Sequence, residues 1–375
     1  AARFVPPGHL VYLFGDGLFG VAFDPVTLSV SGAGVPLVQG LLRAPAPANS
    51  ANFGVSDDGT LVYAAGQGPA NARTLVWVDR AGREEPIAAP PRAYTSPRLS
   101  PDGAKLLVNA RDEDLDIWTW DLARETLTRL TFDPGQDRSP VWSPDGRRVA
   151  YSSQPSVRDF NTAVAWRAAD GTGVAEQIVA SPRQMFPTTF LPDGTGILVY
   201  GDAGDQIDDV TLVRLEGAAA EVPLLAAPAY SERVADLSPD GRWVAYESDE
   251  SGRTEIYVRP FPDVNAGRWQ VSANGGSEPL WSRDGRELFY RNGTVLMVVA
   301  VETSSTFSAG NPEILFEGRY FGGVGGAPQG GRAYDVSPDG QRFLMIKPVG
   351  TSTAAPRIVI VENWFEELER LVPSD

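Results

Sequence analysis

The chain of 375 residues contains no cysteine, a single histidine and only two lysines. The absence of cysteine excludes disulfides and thiol chemistry. A Ser-His-Asp triad or a histidine metal site would have to use His9, which directly follows a turn at the start of a predicted strand. We therefore interpret His9 as an ordinary strand residue and expect neither kind of site.

Long hydrophobic runs are also absent. The longest, at residues 295–301, is far too short to span a bilayer. We expect no signal peptide, because residues 1–8 already belong to the first of the repeats described below. The net charge of −16 excludes nucleic acid as a major partner, since phosphate binding requires clustered Lys and Arg.

Sequence motifs of catalysis are missing too. The chain has no Gly-x-Ser-x-Gly nucleophile elbow, no phosphate loop of the Walker type and no kinase catalytic loop. The glycine-rich segment 322–326 lacks the strand–turn–helix context that a phosphate loop needs. We therefore predict that this chain is not an enzyme and that it uses no cofactor.

What the sequence does contain is a repeated turn. At residues 143–146, Ser-Pro-Asp-Gly follows the apolar pair Val141 and Trp142 and precedes a second apolar run at 149–151. Proline presets φ for the first corner, aspartate hydrogen-bonds the backbone ahead of it, and glycine accepts a positive φ. Two β-rich runs around such a turn predict an antiparallel hairpin.

Related turns recur along the whole chain. They lie at residues 56–59, 100–103, 191–194, 238–241, 282–285 and 337–340, with a degenerate Val-Pro-Pro-Gly copy at 5–8. The last glycines of these eight turns are spaced 43 to 55 residues apart. A period of this length built only from strands is typical of the blades of a β-propeller.

The predicted fold is therefore all-β: one propeller over residues 1–361, made of four-stranded antiparallel blades. The repeats fall near residues 1–40, 52–88, 96–131, 139–180, 187–227, 233–272, 279–317 and 333–361. Eight motifs favour eight blades, with seven as the alternative if the weak first repeat completes the last. Residues 362–375 are predicted to form a short helix and a tail packed on the propeller, with Asn363 and Glu366 at capping-box spacing.

Acidic residues supply the candidate binding positions. Those in connections on one face of the ring are Asp112, Asp114, Asp116, Asp137, Asp159, Asp205 and Asp249; two more, Asp236 and Asp335, lie on first strands and could point into the channel. The loop acids fit either a surface for calcium or a cationic ligand, or solvated hairpin tips. Because their spacing matches no EF-hand loop, no metal is assigned.

The channel acids and two tryptophans each have two interpretations. Asp236 and Asp335 could be the paired acids of a glycoside hydrolase, or polar residues that line a wet channel. Trp142 and Trp281 precede their turns at equivalent places. They could stack on a ligand, but their equivalence favours packing between blades.

The motif Trp-Ser-Pro-Asp-Gly at 142–146 resembles the repeats of TolB-type (WD40-like) propellers. More narrowly, the chain resembles the C-terminal propeller of bacterial eukaryotic-type serine/threonine protein kinases. The stretches that carry this resemblance are 8–12, 75–82, 97–103, 251–262, 286–290, 334–344 and 363–368. It implies a periplasmic or extracellular sensor or interaction module, with the kinase domain and a transmembrane helix upstream. No catalytic residue is carried over.

Three functional hypotheses follow. The first is a non-catalytic propeller that binds a protein, a peptide or a small molecule and reports to a kinase. The second is a hydrolase or lyase using channel carboxylates, or the gating propeller of a prolyl-oligopeptidase-like enzyme. The third is a TolB-type scaffold that docks envelope proteins. All three share one fold, which does not choose among them.

Overall fold

The computed structural model describes residues 2–6, 8–14, 17–38, 41, 53–65, 72–111, 115–133, 135–155, 162–202, 207–217, 220–304, 306–322, 331–349 and 357–373. The chain forms two compact units. The larger unit is Arg73–Lys347, and the smaller unit combines Ala1–Ala72 with Pro348–Asp375. Both consist of antiparallel strands, as predicted, and no helix in the described ranges is long and apolar enough to cross a membrane.

The described elements are as follows. The first eight strands are β1 (Ala2–Val5), β2 (His9–Phe14), β3 (Gly17–Asp24), β4 (Ser29–Val38), β5 (Phe53–Val55), β6 (Leu61–Ala65), β7 (Arg73–Asp79) and β8 (Glu84–Pro86). The next eight are β9 (Thr95–Leu99), β10 (Lys105–Arg111), β11 (Leu115–Asp121), β12 (Thr126–Arg129), β13 (Gln136–Trp142), β14 (Arg148–Gln154), β15 (Thr162–Ala168) and β16 (Glu176–Ser181). Then come β17 (Phe186–Phe190), β18 (Gly196–Asp202), β19 (Asp208–Arg214), β20 (Ala220–Leu225), β21 (Glu232–Leu237), β22 (Trp243–Ser248), β23 (Glu255–Pro260) and β24 (Trp269–Gln270). The last elements are β25 (Ser277–Trp281), β26 (Glu287–Asn292), β27 (Val295–Glu302), β28 (Ser308–Ala309), β29 (Glu313–Glu317), β30 (Tyr334–Val336), β31 (Arg342–Pro348), β32 (Arg357–Val361) and the helix α1 (Trp364–Leu371).

The described residues of the larger unit form six β-sheet blades. Blades 1 to 4 are β9–β12, β13–β16, β17–β20 and β21–β24; blade 5 is β25–β29, and blade 6 has the strand order β30-β31-β7-β8. In blade 5 two short strands, β28 and β29, both pair with β27. Blades 1 and 2 also share one parallel pair, Leu115 with Gln136.

Each blade is apolar on both faces because its strands alternate between two neighbours. On β22, Trp243 and Ala245 pack towards blade 5, whereas Val244 and Tyr246 pack towards blade 3. Six buried clusters occur in the larger unit, one between each pair of successive blades, including blade 6 with blade 1. The blades therefore form a closed ring, in which stacking buries what a single sheet would expose.

Blade 6 closes this ring by joining distant parts of the chain. Strands β30 and β31 come from the end of the unit, and β7 and β8 come from its beginning. The division of repeats 52–88 and 333–361 into separate blades is therefore wrong, because each of these two repeats contributes strands to blade 6. The predicted count of eight blades is not confirmed; the described part of the larger unit has six.

The smaller unit has one sheet of order β1-β2-β3-β4 and a second of order β32-β6-β5. A single hydrophobic core joins them. It is formed by Val5, Val11, Leu18, Ala22, Leu41, Val55 and Leu61, with Trp364, Leu368 and Val372 from the C-terminal segment. The predicted helix is present as α1, and it packs into this core.

The start of α1 differs from the predicted capping box. Asn363 has a left-handed backbone, with φ 55°, and its side chain caps no helical N–H. Instead the Trp364 N–H donates to the Gly59 carbonyl at 2.8 Å. Tertiary contact thus satisfies a donor that the sequence pattern assigned to a side-chain cap.

Candidate binding channel

In five of the six blades, the turn between the first two strands is held by the same set of hydrogen bonds. In blade 2 the Ser143 hydroxyl donates to Asp145 Oδ1 at 2.6 Å and accepts the Arg148 N–H at 2.9 Å, while Gly146 has φ 69°. The Ser143 hydroxyl is also the main cause that lowers the pKa of Asp145. The turn aspartates are therefore structural, as their place in the motif predicts.

Successive turns contact one another around one mouth of the channel. A Cβ built on Gly146 would lie 3.6 Å from Pro101 of the preceding turn, and one on Gly103 would lie 2.9 Å from Pro338. In blade 5 the turn carries Arg283 instead of proline. Its Nη1 donates to the Pro101 carbonyl at 2.7 Å, so an arginine is fixed at the mouth.

Inside this mouth lies a cavity of about 270 Å³, within the larger unit. First strands from all six blades contribute to its wall. The position two residues before each turn always lines it: Arg98, Val141, Thr189, Asp236, Leu280 and Asp335 in blades 1 to 6. One repeat position thus supplies a ring of six side chains, of which three are charged and three are neutral.

A backbone feature precedes several of these ring residues. Ser96, Ser139, Val234 and Glu278, each two residues before a ring residue, have φ between 48° and 59°. The pairing of their strands shifts register at the same place. A β-bulge re-aims the following residues, and a left-handed valine is strained by about 1–3 kcal/mol. The fold accepts this strain to direct side chains at the channel.

The two channel aspartates link neighbouring blades. Asp335 Oδ2 accepts the Leu99 N–H of blade 1 at 2.7 Å, and Asp236 Oδ2 accepts the Trp281 N–H of blade 5 at 2.9 Å. Burial raises the pKa of Asp236, although the Arg332 charge and the Trp281 N–H oppose this. Both carboxylates are therefore bound to backbone, which fits a positioning role better than the paired acids of a glycosidase.

Arg332 lies between these two carboxylates. Its Nη1 is 3.7 Å from Asp236 Oδ1, and its Nη2 is 3.9 Å from Asp335 Oδ1. Burial disfavours its charge, but the two aspartates outweigh burial and raise the pKa of Arg332. Asp236, Arg332 and Asp335 form a buried ion network that fixes blades 4 and 6 across the channel.

Arg98 is different, because it forms no ion pair among the described residues. Its Nη1 donates hydrogen bonds to the Pro97 carbonyl at 2.7 Å and to the Arg332 carbonyl at 2.8 Å. Its Nε is buried without a hydrogen-bond partner among the described residues. Burial, together with the Arg332 charge, lowers the pKa of Arg98 to about 9.

The tryptophans serve packing between blades. Trp142 Nε1 donates to the Arg98 carbonyl of blade 1 at 3.1 Å, and Trp281 Nε1 donates to the Asp236 carbonyl of blade 4 at 3.3 Å. Both indoles also line the cavity. Each therefore connects two first strands with its N–H and offers apolar surface to the channel.

The structure separates the predicted loop acids from the channel. Asp116 pairs with Arg129 Nη2 at 2.8 Å, and Asp249 Oδ1 accepts the Ser231 N–H at 2.8 Å. Burial raises the pKa of Asp137 to about 6. None of these three lines the channel cavity, and no acidic or histidine cluster suited to a metal occurs among the described residues. Asp112, Asp114, Asp159 and Asp205 lie outside the described residues.

The only histidine has a structural environment. His9 is fully buried in the smaller unit, where its Nε2 lies 2.6 Å from the Val372 carbonyl. Its Nε2 is also 3.8 Å from Glu369 Oε2. It connects β2 to the end of α1, which agrees with its interpretation as a strand residue.

Sequence reasoning missed the channel arginines. Arg98 was identifiable, because it occupies the same place before its turn as Asp236 and Asp335. Arg283 was identifiable as the residue that replaces the turn proline. Arg332 gave no such signal, because its contact with two aspartates from different blades depends on ring closure.

Comparison with known proteins gives matches both in sequence and in structure. No family model matches the chain. A segment of 126 residues is 29% identical to the uncharacterized peptidase YuxL of Bacillus subtilis; the match covers 31% of this chain and 19% of that protein. The chain therefore matches only about a fifth of this relative's length.

Among solved structures, an Agrobacterium tumefaciens protein assigned as TolB is similar with a TM-score of 0.57 and 20% identity. The similarity covers 74% of this chain and 99% of that one. A puromycin-hydrolyzing peptidase of Mycobacterium tuberculosis gives a TM-score of 0.47 at 17% identity, over 82% of this chain and 53% of that chain. The fold is a TolB-like β-propeller.

These matches correct one sequence-based prediction. The expectation that the protein is not an enzyme is wrong, because a curated relative that shares sequence with it is a peptidase by name. The absence of nucleophile motifs applies to this chain only. A propeller whose hydrolase domain lies elsewhere in the same protein would lack them as well.

Proposed function

We propose that the larger unit is a binding propeller that receives a peptide or an exposed segment of a protein in its channel. The observation that carries this proposal is the cavity of about 270 Å³ lined by first strands of all six blades. Apolar walls with a few convergent polar groups are the usual composition of a ligand site. Val141, Phe190 and Leu280 supply such walls, and the buried charges supply the polar groups.

The TolB-like fold supports protein binding only as an analogy, since fold does not fix function. Asp236 and Asp335 act in this proposal as residues that hold Arg332 and the blades. Asp116, Asp137 and Asp249 stay predictions for ligand contact outside the channel.

The test is to fill the channel. Thr189 lines the cavity wall in blade 3, so Thr189→Trp would place an indole in the space that a peptide needs. We expect this variant to lose at least about ten-fold in affinity for peptides selected on the wild-type chain. Val174→Trp, at a residue that is 82% exposed, is the matched control for an added indole and should bind normally. Equal binding by both variants would contradict the channel as the site.

A second candidate is the propeller part of a larger peptidase. The 126-residue similarity to YuxL favours it. In this case the channel would filter substrates for a hydrolase domain carried elsewhere in the protein. In the full-length protein, Thr189→Trp should then slow cleavage of long peptides more than cleavage of a single-residue anilide; equal effects on both would exclude the filter.

The sequence resemblance supports a more specific proposal, in which the propeller is part of a kinase. The propeller would then be the extracytoplasmic sensor of a bacterial serine/threonine kinase tethered by an upstream transmembrane helix. The complete gene distinguishes the two contexts: a kinase domain and membrane helix before Ala1 supports the sensor, and a hydrolase domain supports the peptidase.

A further inference from the structure

The channel contains a buried arginine, Arg98, on which Asp335, Asp236 and Glu278 act only through space and not as ion-pair partners among the described residues. Arg98 is only 5% exposed, lines the cavity and forms no ion pair with any described carboxylate. Its Nε has no described hydrogen-bond partner. A buried charge without a partner is destabilising by several kcal/mol, so such a residue is kept where an incoming group pairs with it.

The nearby carboxylates are already engaged. Asp335 accepts backbone N–H groups from Leu99 and from Val336, and Asp236 accepts that of Trp281. Both also face Arg332. They act on the charges of both Arg332 and Arg98, as does the buried Glu278, which accepts the Ala333 N–H.

The residues that line the cavity carry one more positive than negative charge, although the protein is strongly acidic. Arg98, Arg283 and Arg332 line it, against Asp236 and Asp335 as the lining acids. The chain carries a net charge of −16. Arg98 stays protonated at neutral pH because its pKa, lowered to about 9, is still well above 7. Arg98 therefore offers a charged hydrogen-bond donor to an anion at the end of the channel.

We propose that Arg98 binds a carboxylate, and that its source is the C-terminal carboxylate of a peptide inserted through the mouth beside Arg283. This proposal rests on the proposed peptide-binding function and names the group recognised. The planar guanidinium of arginine matches a carboxylate in charge and geometry. Val141, Phe190 and Leu280 then surround the terminal side chain.

The cavity size agrees with the end of a chain. Its volume of about 270 Å³ is near the lower limit of small-molecule pockets, which begin at about 300 Å³. Such a space holds one or two residues and excludes a folded domain. A peptide entering end-first brings one charged group, its terminal carboxylate, to the deep side of the cavity.

The test compares a free carboxylate with an amide on the wild-type chain. The probes are acetyl-Ala-Ala-Phe with a free carboxylate, the same peptide as a C-terminal amide, and phenylpropionate as a small acid, each titrated by calorimetry. We expect the peptide acid to bind at least about ten-fold more tightly than the amide, since a hydrogen bond to a charged group contributes about 1.5–3 kcal/mol. Equal binding of acid and amide, or no binding of either acid, would overturn the proposal. If phenylpropionate binds as tightly as the peptide acid, Arg98 still binds a carboxylate, but the ligand that supplies this carboxylate is a small organic acid and not a peptide.

A variant pair locates the site. Arg98→Met keeps a long side chain without the charge, and Arg214→Met, on the exposed side of β19, is the matched control. We expect Arg98→Met to lose the preference for the acid and Arg214→Met to keep it. Retention of the preference by a folded Arg98→Met would also overturn the proposal. Should Arg98→Met not fold, the comparison of acid and amide on the wild-type chain still decides.

The same experiments separate this proposal from the function on which it rests. If acid and amide bind equally and Thr189→Trp abolishes both, the channel binds peptides without reading the carboxylate. If Thr189→Trp changes neither, the proposed channel function fails together with the carboxylate site.

Discussion

The two units of this protein reach stability in different ways. The larger unit spreads its apolar side chains over six clusters, one between each pair of successive blades, whereas the smaller unit concentrates them in one core completed by α1. The difference follows the turn motif. Five of the six blades of the larger unit have the Ser-x-Asp-Gly turn, and blade 3 has leucine in place of serine, so their strands repeat almost identically. The smaller unit has one such turn at 56–59 and one degenerate copy at 5–8, and a helix completes its core.

The comparison shows what a repeated turn provides. Identical hairpins stack face to face, so each new blade extends the same interface until the ring closes. Irregular sheets offer faces of unequal shape, and a separate element must fill the space between them. The two kinds of core should therefore respond differently to the loss of one side chain.

The largest effect is expected at a blade interface. Phe343 is fully buried between blades 5 and 6, where its ring contacts Phe289 and Phe316 at centroid distances of 5.0 and 5.5 Å. We expect Phe343→Ala to lower the free energy of unfolding by about 3–5 kcal/mol through lost burial and a cavity. Urea denaturation measures the loss, and hydrogen exchange should place it in β26 and β31. A loss below about 1 kcal/mol, like that expected for the exposed control Ile358→Ala, would contradict this view of the interface.

A somewhat smaller loss is expected in the single core of the smaller unit. Leu368 is fully buried on α1 among the core side chains. Leu368→Ala should cost about 2–4 kcal/mol, with faster hydrogen exchange in β2, β3 and α1. Glu366→Ala, on the exposed side of the same helix, is the control. If protection of β2 and β3 stayed unchanged, the helix would not be part of this core.

The buried carboxylate of Asp137 makes the stability of the larger unit depend on pH. Burial raises the pKa of Asp137 to about 6, so the folded state holds its proton more tightly than the unfolded state. The stability that this proton contributes is complete below about pH 4 and is lost as pH rises through about 6. A shift of this size corresponds to at most about 3 kcal/mol. We expect Asp137→Asn to remove this part of the fall in unfolding free energy between pH 4 and 7; an unchanged pH profile would exclude Asp137 as its cause.

The smallest effect separates two glycines that share a backbone conformation. Gly103 and Gly194 have φ of 71° and 75°. A Cβ on Gly103 would lie 2.9 Å from Pro338 in the turn of the neighbouring blade 6, whereas a Cβ on Gly194 would have no atom within 4 Å. Gly194→Ala should cost about 1 kcal/mol, from backbone conformation alone. Gly103→Ala should cost about 1 kcal/mol more, because its methyl group collides with the proline ring. Equal melting temperatures of the two variants would show that the contact between turns adds nothing.

Local chemistry determined much of this protein from its sequence. The Ser-Pro-Asp-Gly turns, the alternation along strands such as β22 and the helix at Trp364–Leu371 all depend on neighbours within a few residues. The channel aspartates were also identifiable, since Asp236 and Asp335 precede their turns at the same place.

Tertiary structure decided which strands share a sheet and which charges meet. The sequence predicts that β32 pairs with β31, the strand before it in the chain. Instead β31 pairs with β7, and β32 pairs with β6. Backbone hydrogen bonds are the same for any strand pair, so the choice depends on side-chain packing across the closed ring. Arg332 pairs with two aspartates, whereas Arg98 forms no ion pair among the described residues. The reason is the same for both: a long side chain finds its partner by position in space, which the spacing of residues along the chain does not encode.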